Sequence, residues 1–176
     1  MIKTTIIKTP IGEMVAGATD DGICLLEFTD RRMLPNEYKD LQRRLKTTLE
    51  DAENKHTKSL RKQLKEYFEG KRKEFTIPLI TPGSEFQQSV WKELQNIKYG
   101  ETRSYLEQSI VLKKPESIRA IANANGMNRI AIVIPCHRVI GADGRLVGYG
   151  GGLHRKKWLL DHEKKYSGQA VELSLF

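Results

Sequence analysis

The sequence predicts an α+β fold: a small N-terminal α+β domain, then a mostly helical C-terminal domain that contains a helix-turn-helix. Three features carry this prediction. Strand patterns fill the first thirty residues, helical patterns dominate afterwards, and a segment with two prolines and a glycine at 77–83 separates the halves. We therefore expect domains at 1–80 and 81–166, and a tail without an assigned role at 167–176.

The first thirty residues predict a three-stranded antiparallel sheet. Segments near 2–8, 12–19 and 22–29 are rich in Ile, Val and Thr, as strands usually are. An Asp-Asp-Gly sequence at 20–22 is a hairpin signal, since these residues tolerate the positive φ of tight turns.

Two helices are predicted between this sheet and the linker, because apolar residues recur there at three- and four-residue steps. The residues that indicate the first helix are Tyr38, Leu41, Leu45 and Leu49. The second helix is expected to end at Gly70. Its apolar face comprises Leu60, Leu64, Tyr67 and Phe68.

The C-terminal half predicts short helices with recognisable starts. The capping sequences at 84–87 and 104–107 each open a helix, the second of them a short one. Pro115 begins the next helix and Gly126 ends it. Two short helices joined by a tight connection fit a helix-turn-helix.

The remaining elements of this half lie on either side of Pro135. The apolar run 130–134 predicts a buried strand that must end at this proline, which fixes φ and lacks a backbone donor. A glycine-rich stretch follows, and a last helix spans about 154–165.

Composition narrows the class of function. The net charge of +8 suits a polyanionic partner such as DNA. No apolar stretch is long enough to span a membrane, and the N-terminal residues read as a strand and not as a signal peptide. We expect an intracellular protein, cytoplasmic in a prokaryote and nuclear in a eukaryote.

The two cysteines, Cys24 and Cys136, lie far apart, and no Cys-x-x-Cys pair exists. We therefore predict no structural zinc and no other metal site. Cys24 lies within an apolar run and is expected to be a buried core thiol.

Cys136 and His137 are candidates for nucleophilic chemistry. A cysteine attacks as its thiolate, and a histidine that accepts the proton, itself oriented by a carboxylate, makes that form available. Glu163 is the expected carboxylate, since the helix that contains it follows soon after the cysteine segment. A bare Cys-His pair is more often structural; Pro135 and the flanking glycines favour a thiol presented into a cleft.

Beyond this pair, the sequence resembles a known family. Ile134-Pro135-Cys136-His137-Arg138-Val139 is similar to the active-site signature of the O6-alkylguanine-DNA alkyltransferases, also called methylated-DNA–protein-cysteine methyltransferases. The other matching positions are Phe86-Gln87, Gly100-Glu101-Thr102, Ser104-Tyr105, Pro115, Arg119-Ala120, Asn128, Gly148-Tyr149, Gly152-Leu153, Trp158-Leu159-Leu160 and Glu163. The N-terminal domain resembles the family's ribonuclease-H-like domain in layout only.

The resemblance implies a chemistry. Cys136 would attack the alkyl carbon on guanine O6 of double-stranded DNA, and His137, acting through water and held by Glu163, would take the thiol proton. Asn128 would brace the cysteine segment by hydrogen bonds, and Tyr105 would donate a proton or a hydrogen bond to N3 of the leaving guanine. The transfer would be irreversible and stoichiometric, without a cofactor; O4-alkylthymine is a further candidate substrate.

The resemblance also implies how the base is bound. The backbone carbonyls of Cys136 and Val139 would accept from the exocyclic amine, the Gly150 amide would face O6, and Tyr149 would line the pocket. The target nucleotide would be flipped out, with Arg119 filling the gap from a recognition helix in the minor groove. Small residues would allow close approach to the groove; they are Ser117, Ala120 and Ala122. We expect a monomer.

Two departures from the family pattern fall in the helix-turn-helix. The turn reads Leu112-Lys113-Lys114-Pro115, where relatives usually carry a glycine before Lys-Pro, and Ser109 stands where alanine is usual. DNA affinity could differ as a result, whereas the chemistry should not.

Three alternative functions remain open on the sequence alone. A lesion-binding relative without transfer activity is disfavoured by Cys136, which such proteins replace. A cysteine hydrolase would turn over and would need an oxyanion hole. A plain helix-turn-helix regulator would not depend on Cys136.

Overall fold

The computed structural model describes residues 1–168, which form two compact units. The first comprises Met1–Ser84 together with Arg129–Ala131, and the second comprises Glu85–Asn128 and the chain from Ile132 onward. Most of the tail that the sequence left without a role, from 169 on, lies outside the described residues.

The first unit is built on a four-stranded sheet. Strands β1 (Ile2–Thr9), β2 (Gly12–Ala18) and β3 (Ile23–Phe28) pair antiparallel in sequence order, which confirms the predicted meander. The structure adds a short strand, β4 (Leu49–Asp51), that pairs parallel with the start of β1. The strand order is therefore β3-β2-β1-β4.

Two helices of this unit, α1 (Leu34–Leu45) and α2 (Lys55–Phe68), confirm the predicted pair. The prediction was wrong at Leu49, which lies in β4 and not in α1. Helix α1 ends because Lys46 takes a left-handed conformation with φ of 52°. Leu49 was in phase with the helix by spacing alone, which cannot distinguish a helix continuation from a short strand.

The core of the first unit includes residues from both the sheet and α1. Ile2, Val15 and Leu25 of the sheet are buried with Leu34 and Leu41 of α1. Cys24 lies in the same cluster, and burial raises the pKa of its thiol to about 12. The prediction that Cys24 is a buried core thiol is confirmed.

Arg129–Ala131 extends the other side of this sheet. The Leu26 amide donates to the Arg129 carbonyl, and the Ala131 amide donates to the Leu26 carbonyl, each at 2.9 Å. The Arg129 side chain is buried, pairs with Asp40 at 2.6 Å and donates to the Pro82 carbonyl at 2.9 Å.

The predicted strand over 130–134 is wrong. Only Ile130 forms an isolated bridge, with Leu26, and the residues after it form a turn. Ile132 has a φ of 71° there, a conformation that β-branched residues rarely adopt. An apolar run of this length indicates burial, and it does not distinguish a strand from a buried turn.

The second unit is mostly helical, as predicted. Its helices are α3 (Glu85–Leu94), α4 (Tyr105–Val111), α5 (Ile118–Gly126) and α6 (Leu153–Tyr166). Single 3-10 turns span Pro115–Ser117 and Cys136–Arg138, and a two-residue parallel pair joins β5 (Arg103–Ser104) to β6 (Val139–Ile140). Among residues 1–168, no helix has the length and apolar character needed to cross a bilayer.

Helices α4 and α5 are joined by a buried amide pair. Gln108 and Asn125 donate to each other's side-chain oxygens, both at 2.8 Å, so neither buried amide lacks a partner. The predicted capping box of α4 is present, with Ser104 and Glu107 satisfying each other's backbone amides. These contacts give the helix pair a defined geometry.

The turn between α4 and α5 explains why a glycine would be usual there. Lys113 has a φ of 59°, in the left-handed region that favours glycine. A lysine in that conformation costs about 1 kcal/mol relative to an unstrained residue. The sequence departure noted at this position therefore places a lysine in a backbone conformation that favours glycine.

Candidate active site

Cys136 lies at the first position of a 3-10 turn, directly after Pro135. It is a free thiol and is partly exposed, whereas the residues that follow it are buried. Its amide donates to the Ile134 carbonyl at 2.8 Å, which folds the chain back on itself at the proline. The partly exposed thiol is thereby held at a tight turn of the chain.

Asn128 braces this turn from the end of α5. Its side-chain amide donates to the Ile134 carbonyl at 2.8 Å and lies 3.3 Å from the Cys136 sulfur. The side chain is buried, so the amide has a fixed orientation. One amide group therefore positions both the backbone before the cysteine and the sulfur itself.

His137 and Glu163 meet in the interior of the unit. The His137 Nε2 lies 2.8 Å from Glu163 Oε2, and both side chains are almost completely buried. Arg138 completes the arrangement, since its Nε and Nη2 bind the two oxygens of the same carboxylate at 2.8 and 3.0 Å. The third guanidinium nitrogen of Arg138, Nη1, donates to the Ile97 carbonyl at 2.6 Å.

The shifted pKa values of Glu163 and His137 indicate which form of each side chain predominates near pH 7. Burial alone would raise the pKa of Glu163, but its attraction to His137 and its hydrogen bonds with His137 and Arg138 prevail and lower that pKa well below the usual range. Burial lowers the pKa of His137, so its neutral form predominates near pH 7. An ionised Glu163 accepts from Nε2–H, which leaves Nδ1 as the basic nitrogen.

The basic nitrogen of His137 is available to a neighbouring proton donor. Nδ1 is buried and has no hydrogen-bond partner among residues 1–168. Nδ1 is therefore the nitrogen at which a neutral His137 can accept a proton.

Lys156 is a functional candidate that the sequence reasoning missed. Its side chain is fully buried, and its Nζ donates to the carbonyls of Val147 and Gly148 at 3.1 Å each. Burial lowers the pKa of Lys156 to about 8, while the negative charge of Cys136 opposes that shift. The signal was present in the helix spacing, because Lys156, Leu159 and Glu163 share one buried face of α6.

Tyr105 lies in the same neighbourhood. Its hydroxyl donates to the Val147 carbonyl at 2.9 Å, and the Lys156 Nζ lies 5.9 Å from the centre of its ring. Burial raises the pKa of Tyr105, and the charge of Cys136 adds to the effect. A phenol that stays protonated beside the sulfur can act as a hydrogen-bond donor.

We expect Lys156→Met to slow reactions of the Cys136 thiolate about tenfold or more at pH 7, because a buried ammonium whose charge interacts with the Cys136 sulfur would be lost. Folding stability should stay equal or rise, since a buried lysine charge is unfavourable below pH 8 and is relieved as pH increases. Single-turnover rates and thermal midpoints at pH 7 and pH 9 measure both effects.

Lys157→Met is the matched control for this variant, because Lys157 is exposed on the same helix and pairs only with Asp161 at the surface. It should change neither quantity appreciably. A Lys156→Met chain that reacts at the native rate would show that the buried cation serves packing alone.

The other residues predicted to bind the base lie in two places: Val139 follows the active-site turn, and Tyr149 and Gly150 lie in the loop before α6. Val139 is fully buried, and its amide donates to the Cys136 carbonyl, which retains a second lone pair. Tyr149 and Gly150 lie in the loop between β6 and α6, Tyr149 half-buried and Gly150 exposed. The loop is tied down by Lys156, whose two acceptors directly precede Tyr149.

The four residues predicted to contact DNA lie on or just before α5. Arg119 and Ala120 are exposed, while Ser117 and Ala122 are half-buried. Arg119 has no ion-pair partner among residues 1–168 and is therefore free to contact another molecule. No group of three His, Cys, Asp or Glu side chains in the described part of the chain is placed to hold a metal ion.

Two family profiles cover nearly the whole chain. The 6-O-methylguanine DNA methyltransferase ribonuclease-like domain matches residues 2–81, and the DNA binding domain of the same name matches residues 85–165. The chain belongs to this family. The active-site turn and the helix-turn-helix both fall within the DNA binding domain of this methyltransferase family member.

Individual relatives agree with that assignment. A methylated-DNA–protein-cysteine methyltransferase from Mycolicibacterium paratuberculosis is 41% identical over 175 residues, covering 98% of this chain and 99% of the relative. A protein of the same name from Methanosarcina barkeri is 41% identical over 160 residues, covering 90% and 95%.

Solved structures of the family resemble this alkyltransferase fold. The Mycobacterium tuberculosis O6-methylguanine methyltransferase matches with a TM-score of 0.80 and 39% identity, covering 94% of each chain. A crystal structure of Mycobacterium tuberculosis OGT in complex with DNA matches with a TM-score of 0.80 and 38% identity, covering 93% of this chain and 94% of that one.

Proposed function

We propose that this protein repairs alkylated DNA by moving an alkyl group from guanine O6 to the sulfur of Cys136, once per molecule. The observation that carries the proposal is the buried chain Glu163–His137 behind a partly exposed thiol, within a matched DNA binding domain. Relatives over nearly the whole chain are named as methyltransferases of this kind, and one related structure contains DNA.

The proposed reaction is an in-line displacement. The thiol proton passes to His137 Nδ1 through a water, and the imidazolium that forms is stabilised by Glu163. The sulfur then forms a bond to the alkyl carbon as the bond from carbon to O6 breaks. When the base binds, the Tyr105 hydroxyl exchanges its hydrogen bond to the Val147 carbonyl for one to N3 of the guanine, so that the leaving base departs without a full negative charge.

The bound base would occupy the space beside the active-site turn. The carbonyls of Cys136 and Val139 accept from the exocyclic amine, the Gly150 amide faces O6 and Tyr149 lines the pocket. Because Lys156 holds the carbonyls just before Tyr149, it also fixes the start of this loop. Asn128 keeps the sulfur aimed at the incoming carbon.

The alkyl carbon is inaccessible inside stacked duplex DNA, so the nucleotide must leave the stack. In the proposed complex α5 lies in the minor groove, where Ser117, Ala120 and Ala122 permit close approach. Arg119 enters the gap that the flipped base leaves. Its exposure and lack of a described ion-pair partner support this role.

Arg119→Ala should therefore slow repair of methylated duplex DNA about tenfold or more, since unstacking costs a few kcal/mol that Arg119 helps to offset. Reaction with free O6-benzylguanine should change less than about twofold, because no base is extruded. Single-turnover rates on both substrates test this. Equal losses on the two would contradict the extrusion role.

The stoichiometry of the reaction tests the proposed function itself. With methylated duplex in excess, we expect one methyl group per chain and no further reaction, because a thioether is stable and the proposal includes no group that cleaves it. Continued turnover, or turnover on esters, would instead favour a cysteine hydrolase. Binding without any transfer would favour a lesion-binding protein.

We further propose a monomer that acts in the cytoplasm, or in the nucleus of a eukaryote. Both cysteines are free thiols, as expected in a reducing compartment. Size-exclusion chromatography with light scattering measures the oligomeric state.

A further inference from the structure

Part of β1 forms an open sheet edge. The Ile2 amide and the Thr4 carbonyl bond to the segment around β4, so even-numbered residues of β1 direct their backbone groups away from β2. The Glu13 carbonyl opposite Lys8 bonds to Thr29, which confirms this alternation. Strand β4 ends before Ile6, and no described residue bonds to the outward backbone groups of Ile6 or Lys8.

The opposite edge of the sheet, formed by β3, is covered by other segments of the same unit. Strand β3 is bridged at Ile23 by Leu79 and at Leu26 by Ile130. Proteins usually cover or shorten exposed edges, because unpaired donors and acceptors recruit other strands. The open edge of β1 is therefore either a protected edge or a binding site.

A groove of about 820 Å³ runs between this edge and α2. Its apolar lining includes Ile7, Leu64 and Phe68. Its rim along α2 is basic, and three lysines on it make no ion pair with any described residue: Lys58, Lys62 and Lys65. Glu69 is the single acidic residue of the lining.

The two faces of the open edge differ in chemistry. Thr5 accepts from Arg61 of α2, so the odd-numbered residues of β1 face α2 and its lysines. Ile6 pairs with Val15, which lies in the core cluster with α1, and is 45% exposed on that face. A strand added here would place one set of alternate side chains near the α2 lysines and the other set near Ile6 and Lys8, which are both exposed on the opposite face.

We propose that this groove binds an extended acidic peptide segment of a partner protein, which adds to β1 as a strand with acidic and apolar residues alternating. Backbone pairing with Ile6 and Lys8 requires both donors and acceptors, which a peptide offers. A nucleic-acid backbone offers phosphate acceptors only and no apolar side chains. The inference is independent of the alkyl-transfer proposal.

The test uses the full chain and an end-blocked peptide of four Glu-Val repeats. We expect saturable binding by fluorescence anisotropy, together with chemical-shift changes and slowed exchange at the Ile6 and Lys8 amides. A Lys-Val peptide of equal length should not bind. Failure of the acidic peptide to bind, or changes confined to other amides, would overturn the proposal.

Backbone pairing is tested on the native chain with N-methylated peptides. One set carries N-methyl groups on every valine and the other on every glutamate, so charge and side chains are kept. One of the two should bind about tenfold more weakly or worse, since its pairing donors are lost, and the other should stay within about twofold. Equal binding by both would contradict strand addition.

Charge is tested with K58Q/K62Q/K65Q, which should weaken peptide binding about tenfold. The matched control is K39Q, at an exposed lysine of α1 outside the groove, and should bind normally. Should a DNA duplex perturb the Ile6 and Lys8 amides while the acidic peptide does not, the groove would be a nucleic-acid surface and the proposal would be wrong.

Discussion

Cys136→Ala should abolish alkyl transfer, lowering the rate by about a thousandfold or more, because no other described side chain combines a thiol with a neighbouring general base. Binding to methylated duplex should stay within about twofold, since the proposed DNA contacts lie on α5. Transfer is measured from single-turnover loss of the radiolabelled methyl group, and binding is measured by anisotropy.

Cys24→Ala is the matched control for this loss. It removes the other thiol of the chain, which is buried in the first unit with its pKa raised to about 12. Transfer should proceed at the native rate, with a small loss of stability from the missing sulfur. If transfer survived in Cys136→Ala and disappeared in Cys24→Ala, the assignment of the reaction to Cys136 would be wrong.

Glu163→Gln should have the second-largest effect, on stability as well as on rate. The change leaves the Arg138 guanidinium, which is 7% exposed, without its counter-ion. Breaking a buried pair from one side costs about 3–5 kcal/mol of unfolding free energy. It also removes the anion that stabilises the His137 imidazolium, so transfer should slow by about 10²–10⁴-fold.

The pH dependence provides a separate check on Glu163. Its pKa is lowered in the folded protein, so its stabilising contribution is present above the carboxyl's unfolded pKa of about 4.3 and is lost as pH falls toward the lower folded value. Urea unfolding between pH 3 and pH 7 should show this acid dependence in the native chain and less of it in Glu163→Gln.

Asp161→Asn is the control for Glu163→Gln, because Asp161 lies on the same helix and pairs with Lys157 at the exposed surface. It should change stability by less than about 1 kcal/mol. A native-like stability and rate in Glu163→Gln would mean that the carboxylate neither holds Arg138 nor supports His137.

Much of the fold was predictable because local signals agreed with the final packing. The hairpin at 20–22, the capping box at Ser104 and the apolar face of α2 each follow from residue type and spacing. Strand β4 was not predictable, since three residues carry no period of their own and its place depends on pairing with β1. The turn after Ile130 was missed for a similar reason.

Some residues of the candidate site were likewise predictable from the sequence, and others were not. Cys136 and His137 stand out by chemistry, and the family resemblance indicated Glu163 and Asn128 by position. The role of Arg138 and Lys156 depends on burial, which brings a guanidinium onto Glu163 and an ammonium onto two loop carbonyls. Charged residues on a surface helix are common, so only the folded structure shows that these two are enclosed.

Peptide mapping after reaction tests the central claim most directly. The native chain is incubated with an O6-methylguanine duplex, digested, and analysed by tandem mass spectrometry. We predict a mass increase of about 14 Da, one methyl group in place of one proton, on the peptide that contains Cys136 and on no other. A methyl group on a different side chain, or an unmodified chain beside repaired DNA, would contradict the account.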